Sequence, residues 1–184
     1  MLRTDAASRT VHVSPEAVWE AFATPAAMER WLPPAGMTGE MLAFDFRPGG
    51  GYRLRLTYGA ADHGAGKTSA DADEVAVQLV ALEPHRSIVQ TVWFESERPE
   101  FAGLMRMTWT FEPVPEGTLV AIRCTNVPPG IGEKDHAAGL ASSLHNLAAF
   151  VEGSGEAAAA PLISPSPPPP LRPGPPDRPT CRSP

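Results

Sequence analysis

The chain has 184 residues, a net charge of −6, two cysteines and 22 prolines. That length suffices for one domain with a substantial core. An acidic balance without a Lys/Arg cluster argues against nucleic acid as a partner, and two isolated cysteines exclude a disulfide framework.

The N-terminus, MLRTDAASRTVHV, carries no apolar signal core, and no apolar run reaches membrane-spanning length. No membrane partner is therefore expected, and a reducing, cytoplasmic location follows as the default. ASRTVHVS alternates and is rich in β-branched residues, which predicts a strand. SPEAVWEAFATP predicts a short helix, with Ser14 as N-cap, Pro15 at the first position and Val18, Trp19 and Phe22 on one stripe. AAMERWL predicts a second helix, stopped by Pro33–Pro34, with Met28, Trp31 and Leu32 on its apolar side.

Strand material follows. MTGEMLAFDF runs into the turn RPGGG and then YRLRLTYG, where Tyr52, Leu54, Leu56 and Tyr58 face one way and Arg53, Arg55 and Thr57 the other. DEVAVQLVALEP and SIVQTVWFES are two more strands around a Pro-His-Arg turn. GLMRMTWTFEP puts Met105, Met107, Trp109 and Phe111 on one face, and EGTLVAIRCTNV is the last strand. Residues 132–152 then predict a long amphipathic helix with Leu140, Leu144, Leu147 and Val151 at helical spacing, whose small residues would allow close approach to a sheet. Residues 154–184 hold half of the prolines and almost no large apolar residues. They are expected to be a disordered Pro-rich tail with local polyproline II, leaving residues 1–153 as the folded domain. Strands grouped together with helices at the ends predict an α+β fold, a curved antiparallel sheet gripping the C-terminal helix, with two short helices after the first strand.

ADHGAGKT at 61–68 fits the loose nucleotide-loop pattern but not its context. A phosphate-binding loop needs a strand buried on both faces before it and a helix directly after it. Here the preceding strand alternates Arg with Leu, and SADADEVAVQLV brings acids and another strand. The segment reads as a mobile hairpin loop.

Four stretches, VSPEAVWEAFATPAAMERWLPPAGM, FDFRPGGGYRLRL, ALEPHRSIVQTVWF and GLASSLHNLAAFVEG, occur in an order that resembles the SRPBCC (START-like) superfamily. The branch most similar is that of the C-terminal domain of the activator of heat-shock-protein-90 ATPase. The resemblance spans residues 8 to 153. It implies a helix-grip fold with a deep, mostly apolar cavity between the sheet and the last helix. It also implies, as the function expected first, binding of a hydrophobic or amphipathic small molecule. A chaperone ATPase co-regulator and a polyketide cyclase- or hydrolase-like enzyme are the alternatives. The long loop at 59–73 and the Pro-rich tail depart from the family pattern.

The ligand-contact candidates are the aromatic, Met and apolar positions that would line such a cavity: Trp31, Met37, Tyr52, Leu54, Trp93, Met105, Met107, Trp109, Leu140 and Leu144. Met adapts to variable contents, and Tyr52 offers an apolar body with a polar tip. No catalytic pattern is specific, so catalysis is not the expected function; Tyr52, Thr91 and His145 are the polar groups an enzyme would have to use. The histidines are scattered. His136 has only its sequence neighbour Asp135, which is not on the same helix face, so no metal site and no cofactor are expected. Cys124 reads as a small buried hydrophobe. Among partners, a chaperone and a second copy forming a homodimer stay open.

Overall fold

The structure is a computed structural model that describes residues 3–59, 68–69 and 71–158, without the side chains of 154–158. The nucleotide-loop-like segment up to Lys67 and the Pro-rich tail from residue 159 lie outside the described residues. Seven strands, β1 (Thr4–Val11), β2 (Met37–Asp45), β3 (Gly51–Tyr58), β4 (Ala72–Glu83), β5 (Ser87–Phe94), β6 (Met105–Val114) and β7 (Gly117–Thr125), form one antiparallel sheet. The helices are α1 (Pro15–Glu20), α2 (Pro25–Trp31) and α3 (Glu133–Ala158). The sheet order is β1-β7-β6-β5-β4-β3-β2, a meander from β2 to β7 with β1 added beside β7. This is the α+β helix-grip arrangement expected from the order of elements.

Local chemistry accounts for most boundaries. Ser14 and Thr24 cap α1 and α2 by accepting from Ala17 N and Ala27 N, and a proline opens each helix. In the β2–β3 turn, Gly49 sits at φ +82°, and a Cβ on Gly51 would lie 2.0 Å from the Val77 carbonyl oxygen. The turn thus needs glycine for backbone conformation at one position and for close approach at another. β4 follows Thr68 and Ser69 where a phosphate-binding loop would require a helix.

Two expectations shift. β1 begins at Thr4 rather than Ala7, because Thr4, Asp5 and Ala6 pair with Thr125, Cys124 and Arg123. An Asp in a strand reads against strand from propensity alone, and here its side chain is held by Arg3 and His136. α3 runs to Ala158, past the expected end at 152; Glu and Ala beyond Gly155 are strong helix formers.

The inner face of the sheet is sealed at one end by α1 and α2. Phe22 meets Trp31 at 4.8 Å and Trp109 at 5.1 Å between ring centroids, and Trp31 meets Trp109 at 5.6 Å. The Trp31 indole N–H is satisfied by the Ala21 carbonyl at 2.8 Å. α3 packs against β1. On the outer face, Arg55 bonds Glu74 at 2.6 Å and Arg53 pairs with Glu95, so these arginines form sheet-face ion pairs as their register suggests. A carboxylate meets edge strand β2, and another meets the chain just past edge strand β1. Beside the β-bulge between Met41 and Ala43, the Met41 N–H donates to Glu29 Oε1 at 2.6 Å. Just past β1, His12 N donates to Glu152 Oε1 at 2.9 Å. Among the described residues, no helix is long and apolar enough to cross a membrane.

Candidate functional site: a cavity between the sheet and α3

The sheet and α3 do not close completely. Between β3–β6 and the first half of α3 lies a cavity of about 870 Å³, within the range of small-molecule sites, roughly 300–1,000 Å³. The sheet supplies Leu54, Leu56, Val75, Val77, Val92 and Met107. These are the inward positions of alternating strands, so the period of two that builds the sheet also paints the cavity wall apolar. The helix supplies Ala138, Gly139, Leu140 and Ser142. The small side chains of Ala138, Gly139 and Ser142 leave the volume unfilled.

The rim is fastened by polar side chains of α3. Ser143 Oγ donates to the Leu32 carbonyl at 2.9 Å, Asn146 Nδ2 donates to the Pro33 carbonyl at 2.8 Å, and Ser142 Oγ accepts from Ala35 N at 2.7 Å. The segment after α2 is thereby pinned to α3 as one lip. The opposite lip is the 3-10 turn Pro99–Phe101 with the 128–132 loop, joined by Gly130 N donating to the Glu100 carbonyl at 2.7 Å. Neither lip has a periodicity that sequence reading could detect.

Polar groups reach the cavity at a few points. Deep in it, Gln90 is 4 % exposed; its Nε2 lies 3.4 Å from Tyr52 Oη as donor and 3.2 Å from Met107 Sδ. Burial pushes the Tyr52 phenol above its ordinary pKa, against the opposing effect of the Gln90 bond, so it stays a neutral O–H. Tyr58 Oη donates to Asp73 Oδ2 at 3.0 Å. Near the α3 N-terminus, His136 lines the cavity with its Nδ1 2.6 Å from Asp5 Oδ2.

The sequence matches this geometry to a family. The model for the Activator of Hsp90 ATPase homolog 1-like protein aligns with residues 12–152. The chain belongs to that family. Among solved structures, a Chromobacterium violaceum protein is 30% identical with a TM-score of 0.72, the match covering 81% of this chain and 96% of that one. A Mesorhizobium loti protein at 21% identity (TM-score 0.62, covering 83% and 98%) shares the fold. So does an AHSA1-like protein from Aeromonas hydrophila at 16% (TM-score 0.62, covering 83% and 94%). No curated protein matches the chain.

Within this Activator of Hsp90 ATPase homolog 1-like fold, the ten expected contact residues divide three ways. Met37, Tyr52, Leu54, Met107 and Leu140 line the cavity. Trp31, Met105, Trp109 and Leu144 are packed core, none more than 3 % exposed. Trp93 stands on the outer face, because Ile88, Gln90 and Val92 are the inward positions of β5 and Trp93 is opposite Ala76 in register. Of the polar groups an enzyme would need, Tyr52 reaches the cavity, Thr91 shares the outward register of Trp93, and His145 is exposed on α3. His136, Asp5 and Gln90 are polar groups that sequence reasoning missed. Gln90 was legible as an inward position of β5; Asp5 and His136 are 131 residues apart and only the fold joins them. Cys124 is fully buried, and its thiol is pushed up to about 12, first by burial and then by the Asp5 charge, so it is an unreactive core group. Among the described residues, no group of three His, Cys, Asp or Glu side chains could hold a metal ion.

Proposed function

We propose that this protein binds a hydrophobic or amphipathic small molecule in the cavity between β3–β6 and α3. The observation that carries the reading is an apolar hollow of about 870 Å³ that persists beside a densely packed aromatic core. Apolar burial, at about 25 cal/mol per Å², supplies the affinity. The few polar groups, Tyr52 and Gln90 foremost, orient the ligand.

The test is titration with N-phenyl-1-naphthylamine, a neutral dye that fluoresces in apolar surroundings, with native mass spectrometry for stoichiometry. One saturable site is expected. Val75→Trp should fill the cavity and weaken dye binding at least tenfold while the thermal midpoint holds or rises. Dye binding that does not saturate, or that is unchanged by Val75→Trp, removes the proposal.

The family description favours a second reading, stimulation of an Hsp90-type ATPase through a protein contact. Hydrolysis by that chaperone would be measured with and without this chain; an unchanged rate eliminates the reading.

A further inference from the structure

His136 lines the cavity and is held from behind by Asp5, a pair to which the apolar binding described above assigns no role. Asp5 is 9 % exposed and is gripped by Arg3, whose Nη2 lies 2.9 Å from Oδ2 and whose Nε lies 3.2 Å from Oδ1. Arg3 also donates through Nη1 to the Ile131 carbonyl at 2.6 Å, which anchors the pair to the lip of the cavity. Burial raises the Asp5 carboxyl, but hydrogen bonds from His136 and Arg3 and the Arg3 charge outweigh it, so the group sits below its ordinary pKa and is ionised.

An ionised carboxylate only accepts. His136 Nδ1, 2.6 Å away, must therefore carry the proton of that bond. When the imidazole carries a single ring proton, that proton is therefore at Nδ1, facing Asp5. In that tautomer Nε2 holds a lone pair. Among the described residues Nε2 has no hydrogen-bond partner, and it is not among the sealed buried atoms. His136 lines the cavity, one helical turn before Leu140, which lines it too.

The sheet extends this geometry. Gln90, Met107, Cys124 and Asp5 stand directly opposite one another on β5, β6, β7 and β1. A ligand lying on Met107 thus has the Gln90–Tyr52 pair on one side and His136 on the other. Among the described residues lining the cavity there is no Lys or Arg, while Asp135 lies beside His136.

We propose that His136 Nε2 accepts a hydrogen bond from a hydroxyl group on an apolar ligand, with Asp5 as the positioning residue that fixes the imidazole tautomer. The inference rests on the cavity-binding reading and narrows it: the preferred ligand is a neutral, hydroxyl-bearing apolar molecule, not a carboxylate.

The experiment compares 1-naphthol, 1-methylnaphthalene and 1-naphthoate on the full chain, by calorimetry, with wild type and His136→Asn. The Asn amide can still donate to Asp5 but places no atom at Nε2. The affinity ratio of 1-naphthol to 1-methylnaphthalene is expected to fall about five- to tenfold in the variant, the worth of one hydrogen bond. The 1-methylnaphthalene affinity should change less than that of 1-naphthol, and a circular-dichroism spectrum and thermal midpoint close to wild type report that the variant folds. An unchanged ratio overturns the inference, as does wild-type preference for 1-naphthoate over 1-naphthol. Failure of all three to saturate a single site overturns the cavity reading itself and this inference with it. Independently, side-chain nitrogen NMR of the wild-type protein should show His136 protonated at Nδ1, with the Nε2 resonance moving when 1-naphthol is added. Protonation at Nε2 in the free protein contradicts the assignment.

Discussion

Trp109 and Met107 project from the same face of β6, two residues apart, into two different kinds of interior. Trp109 is 2 % exposed and meets the rings of Phe22 and Trp31, which α1 and α2 lay over it. Met107 is only partly buried and borders the cavity. The strand is the same and the inward alternation is the same. What differs is the second layer: aromatic rings from two short helices over Trp109, and the small residues Ala138, Gly139 and Ser142 of α3 on the far side of the hollow. The size of the side chains facing a curved sheet thus decides whether its concave surface becomes core or pocket.

The largest effect should come from the solid end. Trp109→Ala is expected to cost about 3–5 kcal/mol by urea denaturation, since the surrounding rings can collapse only partly into the space. A loss under about 1 kcal/mol would mean that this end is as loosely filled as the other, and the contrast would vanish.

Next in size is Asp5→Asn, behind the cavity wall that His136 forms. Removing a charged, hydrogen-bonded partner of Arg3 and His136 should cost about 1–3 kcal/mol at pH 7. The sign with pH follows from the depressed Asp5 pKa. Its contribution is present above the unfolded value, about 3.9, and is lost as pH falls through the folded value. Wild type and variant should therefore converge in stability in strongly acidic solution, and a gap that stays constant from pH 7 to pH 2 contradicts the electrostatic account.

The smallest effect belongs to the hollow. Met107→Ala is expected to cost about 1–2 kcal/mol, less than a fully packed Met, because one side of the side chain already lacks partner atoms. A cost equal to that of Trp109→Ala would show that Met107 is ordinary core.

Much of this molecule was legible in its residues, and the contrast between its two ends marks where that legibility stopped. Ser14-Pro15, Pro33-Pro34 and the RPGGG turn fix their elements through local chemistry, and strict alternation along β3 and β6 fixes which side chains point inward. Which inward residues meet a neighbour and which meet a void depends on the opposing layer, so Trp31, Trp109 and Leu144 could not be told from Met107 and Leu140 by pattern. Trp93 was misplaced because its size suggested the interior, although the register of β5 sends it outward. The Asp5–His136 contact joins residues 131 apart in the chain and carries no local signal at all.

The two carboxylates at the sheet margins have a further consequence. An open sheet offers rows of main-chain donors on which a foreign strand could grow. On one border the broken spacing around Met41 has its amide already claimed by Glu29, and on the other Glu152 claims the amide of His12. A polypeptide arriving at the β2 flank would meet a donor row already interrupted, and one arriving along β1 would meet α3, which packs against that strand and whose Glu152 holds the amide just beyond it.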